Sequence, residues 1–502
     1  MRKLIVISGI PIDDLNVEET LDRLETFIEV GRVDGKSHQI ATVNADFVVK
    51  AMSDPELRFL LQEADLLMAD GMPLVWGARL LGMPLEERVA GSDIIPMLAK
   101  RAAEKGYSIY LLGAASGVAQ HAAETLKAEY PDLIIAGVHS PPYSSVLEMD
   151  PNIVEDIRQT NPDILLVAFG NPKQEKWIGM YRHQVNVPVM IGVGATLDFI
   201  AGYRARAPLW MQKSGLEWLF RLLQEPRRLW RRYVLDLVNF GFFFTRQWWM
   251  MQWGNRPETV LPNANCVIVD NTAAVIALQG QITIQNHEIL YDIGHQALAE
   301  VSSIIIDMTN VSFLDSTAVG TLIALTREAR YQNGEALLAN VSTNIQRTLD
   351  TLKLQSFFLL MPSVETALAY SREERILERM PAGAIPQPIV KEEADSAWMV
   401  ITAPRRLDAI TADTLVTQCE ANLLQNTFLI LDFINTVFLA SAGLAALAKI
   451  QRLANEQNGQ MRVANCSDDV RRVIEIVRFD QILSVYKDVP SAMSGADSTR
   501  TL

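Results

Sequence analysis

The chain has 502 residues, which is too long for one hydrophobic core, so two to four domains are expected. Its hydrophobic fraction of 49% and charged fraction of 21% are ordinary for a folded protein, and a net charge of −14 argues against general nucleic-acid binding. Three widely separated cysteines, Cys266, Cys419 and Cys466, form neither a metal-ligand spacing nor a disulfide framework, which favours a reducing cytoplasm. The N-terminal apolar run is too short for a signal peptide, and no run is long enough to predict a spanning helix.

Short apolar runs alternate with helical patterns through the first 200 residues. The runs are Leu4 to Ser8, Gln39 to Val43, Ala64 to Ala69, Ser108 to Leu112, Leu133 to Val138, Ile164 to Phe169 and Val189 to Val193. Unbroken apolar runs of this length indicate strands buried on both faces. The alternation predicts a Rossmann-like α/β domain, in which a mainly parallel sheet carries helices on both faces.

The stretch from Asn161 to Trp177 predicts a strand, a sharp turn and a helix start. Gly170 ends the strand, Asn171 is suited to cap the helix and Pro172 fits its first position. Gln174 lies where a capping-box partner belongs. Ligands often bind at such a turn in α/β sheets, because free amide groups and the helix dipole face the crevice. On local pattern alone, however, Asn171 and Gln174 are as well explained by helix capping.

Other strand ends also carry small or polar residues. Thr42 and Asn44 follow one run, and Asp70 with Gly71 follows another. Taken singly, Asp70 is more typical of a turn than of a catalyst. Two glycine-containing turns, LLGAASGVAQ and IGVGATLDF, do not complete a dinucleotide fingerprint, so they support a nicotinamide-dependent oxidoreductase only weakly.

Taken together, these segments resemble the WecG/TagA/CpsF glycosyltransferase family. The motifs in order are TVN (42–44), MADGMPLVW (68–76), ERVAGSD (87–93), LLG (111–113), FGNPKQEKW (169–177), VGATLDFIAG (193–202), RAP (206–208) and GLEWLFRLLQEPRRLWRRY (215–233). The resemblance covers residues 4 to 250. It implies an inverting, metal-independent hexosyltransferase without a cofactor. The implied reaction moves an N-acetylmannosamine-type sugar from a UDP donor to the GlcNAc of an undecaprenyl-diphosphate-linked acceptor, in teichoic-acid or exopolysaccharide synthesis.

The same resemblance assigns residues to roles. Asp70 corresponds to the general base, and its chemistry fits, since an inverting transfer needs a carboxylate to take the acceptor proton. The implied substrate-binding residues are Thr42, Asn44, Arg88, Gln174 and Asp198 in the pocket, and Arg221, Arg228 and Arg231 in a C-terminal appendage over the nucleotide diphosphate. Arginines suit that place because the leaving diphosphate gains negative charge.

Residues 201 to 260 hold ten Arg or Lys against four Asp or Glu. Within 216–253 the basic residues alternate with Trp230, Phe240, Phe242, Phe243, Phe244, Trp248, Trp249 and Trp253. Bulky aromatics beside basic residues favour an interfacial helix on an anionic membrane surface. The prediction is a cytoplasmic protein attached peripherally to the inner face of the plasma membrane. The alternative is that these aromatic side chains pack into the domain core or an oligomer interface.

The second half of the chain contains an internal repeat with a constant offset of 125 residues. Ser316 matches Ser441, Asn333 matches Asn458, and Arg347 matches Arg472. The sequence predicts an N-terminal domain at 1–253 with its appendage at about 204–253, a linker at 254–265 and a first repeat domain at 266–370. A second linker at 371–395, a second repeat domain at 396–491 and a tail at 492–502 complete the chain.

Each repeat resembles a STAS domain, the small α/β fold of anti-sigma-factor antagonists, around SFLDSTAVGTLIALTREARYQNG. The resemblance implies a regulatory or protein-binding module, with an anti-sigma-type protein among its partners. It also implies Ser316 as a phosphorylation site, although serine before a helix is equally suited to be an N-cap. The second repeat reads Leu439-Ala440-Ser441, so it lacks the acidic neighbour and phosphorylation of Ser441 is doubtful.

Two hypotheses from different classes therefore compete. The first is a membrane-associated glycosyltransferase joined to two STAS modules. The second is a catalytically inactive STAS scaffold that senses a nucleotide sugar. Retention of the full set of motif residues favours the first. The donor sugar, the STAS partner and a homo-oligomeric state are left open by the sequence.

Overall fold

The computed structural model describes residues 3–142, 144–150, 152–213, 216–253, 263–269, 273–378, 398–423 and 428–495. The strands of the N-terminal domain are β1 (Leu4–Ile7), β2 (Ile10–Asp13), β3 (His38–Val43), β4 (Leu66–Ala69), β5 (Ser108–Gly113), β6 (Ile134–His139), β7 (Ile164–Ala168) and β8 (Val189–Gly192). Its helices before the appendage are α1 (Val17–Asp34), α2 (Ala45–Ser53), α3 (Pro55–Glu63), α4 (Met72–Leu80), α5 (Gly91–Lys105), α6 (Val118–Glu129), α7 (Asn152–Thr160), α8 (Lys173–Val185) and α9 (Thr196–Ile200).

Six of these strands form one parallel sheet in the order β4-β3-β8-β7-β5-β6. Helices α1, α5, α6 and α9 pack on one face, and α2, α3, α4, α7 and α8 pack on the other. Because both faces are covered, the central strands are apolar throughout. The predicted α/β fold with a mainly parallel sheet and helices on both faces is confirmed.

The first apolar run departs from this prediction, because it lies outside the parallel sheet. Strands β1 and β2 form an antiparallel hairpin closed by Ser8 and Gly9, both with positive φ (48° and 81°). Two such residues make the tight turn that matches strand twist. Side chains on β1 alternate between two cores: Ile5 and Ile7 pack in the N-terminal domain, whereas Leu4 and Val6 pack in the first repeat domain. The run is apolar because two domains cover it.

The C-terminal part of the N-terminal domain is a helical appendage. It consists of α10 (Leu209–Lys213), α11 (Glu217–Gln224) and α12 (Pro226–Trp253). Phe240 and Phe244 of α12 are buried in the core beside α2 and α4, whereas Trp230, Phe242 and Trp249 are exposed. The alternative of core packing is therefore confirmed for Phe240 and Phe244, whereas the membrane-surface prediction stays a prediction for the exposed aromatic side chains. The side chain of Trp253 lies outside the described residues. Within the described ranges, no helix combines the length and apolarity needed to cross a bilayer.

The two repeat domains have the same secondary structure at the predicted offset. The first contains β9 (Asn263–Val269), β10 (Ala273–Ile282), α13 (His287–Leu298), β11 (Ser303–Leu314), α14 (Ser316–Tyr331), β12 (Ala336–Ala339), α15 (Thr343–Thr351), β13 (Leu359–Met361) and α16 (Val364–Glu378). The second contains β14 (Trp398–Thr402), β15 (Arg406–Leu407), α17 (Ala412–Leu423), β16 (Phe428–Asp432), β17 (Phe438–Leu439), α18 (Ser441–Glu456), β18 (Gln460–Ala464), α19 (Asp468–Ile476), β19 (Ser484–Tyr486) and α20 (Val489–Ser494). Helices α13, α14 and α15 correspond to α17, α18 and α19 with each boundary shifted by 125 residues.

Polar contacts repeat as well as elements. Asn340 donates to Asp307 at 2.9 Å in the first repeat domain, and Asn465 donates to Asp432 at 2.8 Å in the second. Among the described residues, the first sheet has the strand order β13-β12-β11-β10-β9 and the second has the order β14-β16-β18-β19, with β15 and β17 forming a separate pair. The positions 125 residues after β9, at 388–394, lie outside the described residues. The repeat predicted from sequence is thus a repeat of the fold.

Candidate active site

The candidate site lies where the carboxyl ends of β3 and β4 meet the start of α5. The backbone N–H of Asp70 donates to the carbonyl of Val43 at 2.7 Å, which holds Asp70 beside the end of β3. The N–H of Val89 donates to the carbonyl of Ala69 at 3.0 Å, and so carries Arg88 to the same place. A crevice at the carboxyl ends of parallel strands is the usual ligand position in this class of sheet.

Asp70 has an unusual electrostatic environment. Its side chain is 23% exposed, and its Oδ1 lies 3.9 Å from Nη1 of Arg88. Burial raises the pKa of the Asp70 carboxyl to about 6, against the opposing charges of Arg221 and Arg88 and with help from Glu217 and Asp93. At neutral pH the group is mainly ionised but holds a proton better than an ordinary aspartate, as a general base should.

Glu217 organises the two arginines that face Asp70. Its carboxylate accepts from Arg88 at 3.1 Å and from Arg221 at 2.6 Å. Burial opposes ionisation of Glu217, but the charges of Arg221 and Arg88 outweigh it and lower its pKa. The sequence-based assignment missed this residue, although its spacing of four from Arg221 on a helix was a usable signal.

A second set of ion pairs closes the appendage onto the site. Arg206 lies 2.6 Å from Asp93, which Arg88 also approaches at 3.4 Å. Arg204 lies 3.9 Å from Asp198 and 3.1 Å from Glu225. Asp93, Arg204 and Arg206 were assigned no role from the sequence, although Asp93 and Arg206 lie within quoted motifs, since a single charge carries no local signal of its partner.

Thr42 lies in β3 one residue before its end, and Asn44 is the first residue after the strand. Thr42 is buried and faces Gly91, the first residue of α5. A Cβ atom added at Gly91 would lie 3.1 Å from the methyl group of Thr42 and 3.4 Å from Oγ1 of Thr196. Asn44 caps α2, because its Oδ1 accepts from the backbone N–H of Phe47 at 3.3 Å. Thr42 is therefore part of the crevice wall, and Asn44 starts the helix that leaves it.

The side chain of Gln174 connects the turn after β7 with the turn after β8 and does not cap a helix. Its Oε1 accepts from the N–H of Gly170 at 3.1 Å and from the N–H of Gly194 at 3.0 Å. Its Nε2 donates to the fully buried Glu175 at 2.7 Å. Burial raises the pKa of Glu175 to about 7. The side chain of Gln174 thus holds the ends of β7 and β8 together from inside the domain.

The prediction that Asn171 caps this helix was wrong. Helix α8 begins at Lys173, its N-cap is Pro172, and no side chain makes a capping hydrogen bond there. Asn171 instead donates to Glu175 at 3.4 Å. Local pattern placed the strand, the turn and the helix, but the side-chain amide that ties this turn to its surroundings belongs to Gln174 and not to Asn171.

The three appendage arginines do not all reach Asp70. Arg221 belongs to the Asp70 cluster, while the side chain of Arg228 lies outside the described residues. Arg231 lines a separate cleft of about 470 Å³. The other lining residues of this cleft are Asp46, Lys50, Arg232, Leu235 and Asp236. Lys50 donates to the backbone carbonyl of Asn171 at 3.0 Å, which connects this cleft to the turn after β7.

Comparison with known proteins identifies the family of the N-terminal domain. The model of the glycosyl transferase WecG/TagA/CpsF family matches residues 5–254. The N-acetylglucosaminyldiphosphoundecaprenol N-acetyl-β-D-mannosaminyltransferase of Bacillus spizizenii is 35% identical over 225 residues, which cover 44% of this chain and 85% of that protein. The chain belongs to the WecG/TagA/CpsF glycosyltransferase family. Proteins with the same name from Bacillus subtilis (34% identical; 45% of this chain, 85% of that one) and Staphylococcus aureus (30%; 45% and 86%) are similar too.

The STAS domain model matches residues 264–367 and 388–492. This WecG/TagA/CpsF protein therefore carries two STAS domains after its glycosyltransferase domain. Among solved structures, the unphosphorylated anti-sigma factor antagonist SpoIIAA aligns at 23% identity with a TM-score of 0.21, covering 22% of this chain and 97% of that one. An anti-sigma factor antagonist from Mycobacterium paratuberculosis aligns at 19% identity with a TM-score of 0.21, covering 23% and 99%.

Proposed function

We propose that the N-terminal domain transfers an N-acetylmannosamine-type sugar from a UDP donor to the GlcNAc of a lipid-diphosphate-linked acceptor. The transfer inverts the anomeric centre, needs no metal or other cofactor, and serves cell-surface polysaccharide synthesis. The observation that carries the proposal is the cluster of Asp70 with Arg88 and Arg221, held in a crevice at the strand ends. The names of the three relatives support the sugar and the acceptor class.

In this mechanism the acceptor hydroxyl oxygen attacks the anomeric carbon of the donor sugar. The bond from that carbon to the UDP oxygen breaks, and UDP leaves with the electron pair. The carboxylate of Asp70 takes the hydroxyl proton, for which its raised pKa is suitable. Arg88 and Arg221 are oriented beforehand by Glu217, so they are available to stabilise the charge that develops on the leaving diphosphate.

The exposed side of α12 supports a peripheral position on the inner face of the plasma membrane, where a lipid-linked acceptor would be reached. Trp230, Phe242 and Trp249 are each more than half exposed, and the exposed Arg231 lies on the same helix. Such side chains bind at the boundary between headgroups and acyl chains of anionic lipid. The two STAS domains act as regulatory or protein-binding modules in this proposal.

The rival hypothesis, an inactive sensor of nucleotide sugars, lacks a structural observation of its own. A sensor would need the nucleotide contacts but not a carboxylate with a raised pKa placed against two arginines. The assembled cluster around Asp70 therefore supports a catalyst over a sensor.

Transfer assays on the full chain test the proposal. Purified protein is incubated with a short-chain GlcNAc-diphosphate-lipid and UDP-N-acetylmannosamine, UDP-GlcNAc or the uronate of the first sugar, and the glycolipid product is measured by mass spectrometry. We expect product with the first donor, and a loss of about 10² to 10⁴ in rate for Asp70→Asn, because the general base is removed. Binding of UDP by both proteins is measured in parallel. Product formation by Asp70→Asn at the normal rate would remove Asp70 from the role of base, and UDP binding without transfer of any donor would favour the sensor.

A further inference from the structure

The two repeat domains begin their central helix differently. In the first, Asp315 caps α14: its carboxylate accepts from the backbone N–H groups of Thr317 and Ala318, both at 2.9 Å. In the second, the residue 125 positions later is Ala440, and α18 has no capping hydrogen bond from it. The first turn of a helix leaves N–H groups without partners, and burying them unpaired is costly. Helix α18 therefore needs an acceptor from elsewhere.

That acceptor comes from the N-terminal domain. The backbone N–H of Ser441 donates to Oε1 of Glu56, which lies in the first turn of α3. Glu56 is only 1% exposed, and its other oxygen lies 2.9 Å from Nζ of Lys176. A buried carboxylate is tolerated only where it is paired and hydrogen-bonded. For Glu56, the backbone N–H of Ser441 at the start of α18 donates the hydrogen bond, and the ammonium group of Lys176 is the ion-pair partner.

The surroundings of this contact are also built from both domains. The rings of Phe59, on α3, and Phe438, on β17, stack with their centroids 3.8 Å apart. Both rings are buried and form one small apolar cluster with Ala440. Arg58, next to Phe59, donates to Asp469 at 3.1 Å. The interface thus combines an apolar centre with two charged contacts.

We infer that the partner of the α18 N-terminal face is the glycosyltransferase domain of this protein, with Glu56 supplying the carboxylate that the second STAS domain has lost. The replacement of an aspartate by Ala440 fits this arrangement. An aspartate there would cap α18 by itself and would bring a second negative charge against Glu56. The second STAS domain is consequently a fixed part of the enzyme, and Ser441 is not offered to a separate protein.

The test breaks the interface from each side in the full chain. A protease recognition sequence is inserted within 379–397, between α16 and β14, and the purified protein is cut there. The affinity of the released second STAS domain for the remainder is then measured by surface binding in the wild type, Glu56→Gln and Ala440→Asp. Glu124→Gln, which neutralises an exposed glutamate on α6, is the matched control. Circular dichroism before cutting establishes that each variant is folded.

We expect the wild-type and Glu124→Gln pieces to remain associated, and Glu56→Gln and Ala440→Asp each to weaken association about tenfold or more. Ala440→Asp matters because it leaves the pair between Glu56 and Lys176 in place, so its effect cannot come from disturbing α8. Unchanged affinity in both variants would overturn the inference. So would separation of the wild-type pieces at micromolar concentration. Neither outcome depends on the sugar or the acceptor of the transferase.

Discussion

The side-chain amide of Gln247 donates a 2.9 Å hydrogen bond to Oγ of Ser316. The same amide group donates to the carbonyl of Val6 at 2.7 Å and accepts from the N–H of Ser8 at 2.7 Å. One side chain of α12 therefore holds the hairpin β1–β2 and the first STAS domain together. Ser316, the residue that the STAS resemblance implies as a phosphorylation site, is 0% exposed beneath this helix.

A negative charge at position 316 should separate α12 from the first STAS domain. We expect Ser316→Asp to speed amide hydrogen exchange in the last two turns of α12 by tenfold or more, since burying an unpaired carboxylate costs several kcal/mol, roughly 3 or above. Ser316→Ala should keep slow exchange, and Ser53→Asp, at an exposed serine, is the charge control. Slow exchange in Ser316→Asp equal to that of the wild type would show that the site accepts a charge while docked.

The ionised carboxylate of Asp70 should lower the free energy of unfolding at neutral pH. Its pKa of about 6 in the folded state lies above the ordinary value of 3.8, so folding favours the protonated form. The penalty is absent below about pH 4, grows as pH rises to about 6, and is complete above that. Asp70→Asn should then be more stable than the wild type by about 1 to 3 kcal/mol at pH 7.5, with no difference near pH 3.5.

Denaturant unfolding, followed through the transition of the N-terminal domain, measures this difference at the two pH values. Asp132→Asn, at an exposed turn residue before β6, is the matched control and should change little. A lower stability of Asp70→Asn at pH 7.5 would mean that the arginines stabilise the carboxylate more than burial destabilises it.

Removing the charge of Glu217 should change both the rate and its pH dependence. In Glu217→Gln, Arg88 and Arg221 lose their common partner, and we expect kcat to fall about 10²-fold. One negative charge near Asp70 is also lost, so the acid limb of the kcat/KM profile should move below the wild-type value near pH 6. Glu225→Gln, on the same appendage but paired with Arg204, should keep the wild-type profile. An acid limb that stays in place would separate Glu217 from the environment of Asp70.

Membrane attachment should depend on the exposed residues of α12 and not on its buried ones. Trp230, Phe242 and Trp249 are 56%, 64% and 58% exposed, so replacing all three by Gln should leave the fold intact. We expect the triple variant to bind vesicles of anionic phospholipid at least tenfold more weakly, because each large aromatic side chain contributes roughly 1.5 to 3 kcal/mol when buried.

Vesicle flotation of the full chain measures this change. The control replaces Ile410 and Ile434, two exposed isoleucines of the second STAS domain, by Gln. Equal loss in the control would mean that general surface apolarity, and not α12, drives attachment. Deletion of the whole helix is a poorer test, because Phe240 and Phe244 are part of the core.

Much of the fold follows from the sequence by itself. Apolar runs predicted the six strands of the parallel sheet, because strands covered on both faces are mainly apolar. Strand β3 is an exception, since its polar residues His38, Gln39 and Thr42 are buried. The 125-residue offset predicted the repeat. The family motifs assigned Asp70 and Arg88 to one pocket and Arg221 to the appendage, and the contacts of Glu217 with both arginines show how the two parts meet. The boundaries of these elements can be predicted from the local sequence, because hydrophobic periodicity and turn residues mark them.

Only the tertiary structure decided which neighbours those residues have. Strand β1 would be apolar whether it lay inside the parallel sheet or between two domains, and the structure places it between two domains. Hydrophobic periodicity predicts that a residue is buried but not which element covers it. Gln174 looked like a capping residue until Gly194 was found beside it. Glu56 gave no local sign of its role, and Glu217 gave only its spacing of four from Arg221, because the other partners of these carboxylates lie far away in the chain. Ala440 in the sequence showed only that α18 lacks a capping residue of its own. The structure shows that Glu56 of the N-terminal domain supplies the acceptor in its place.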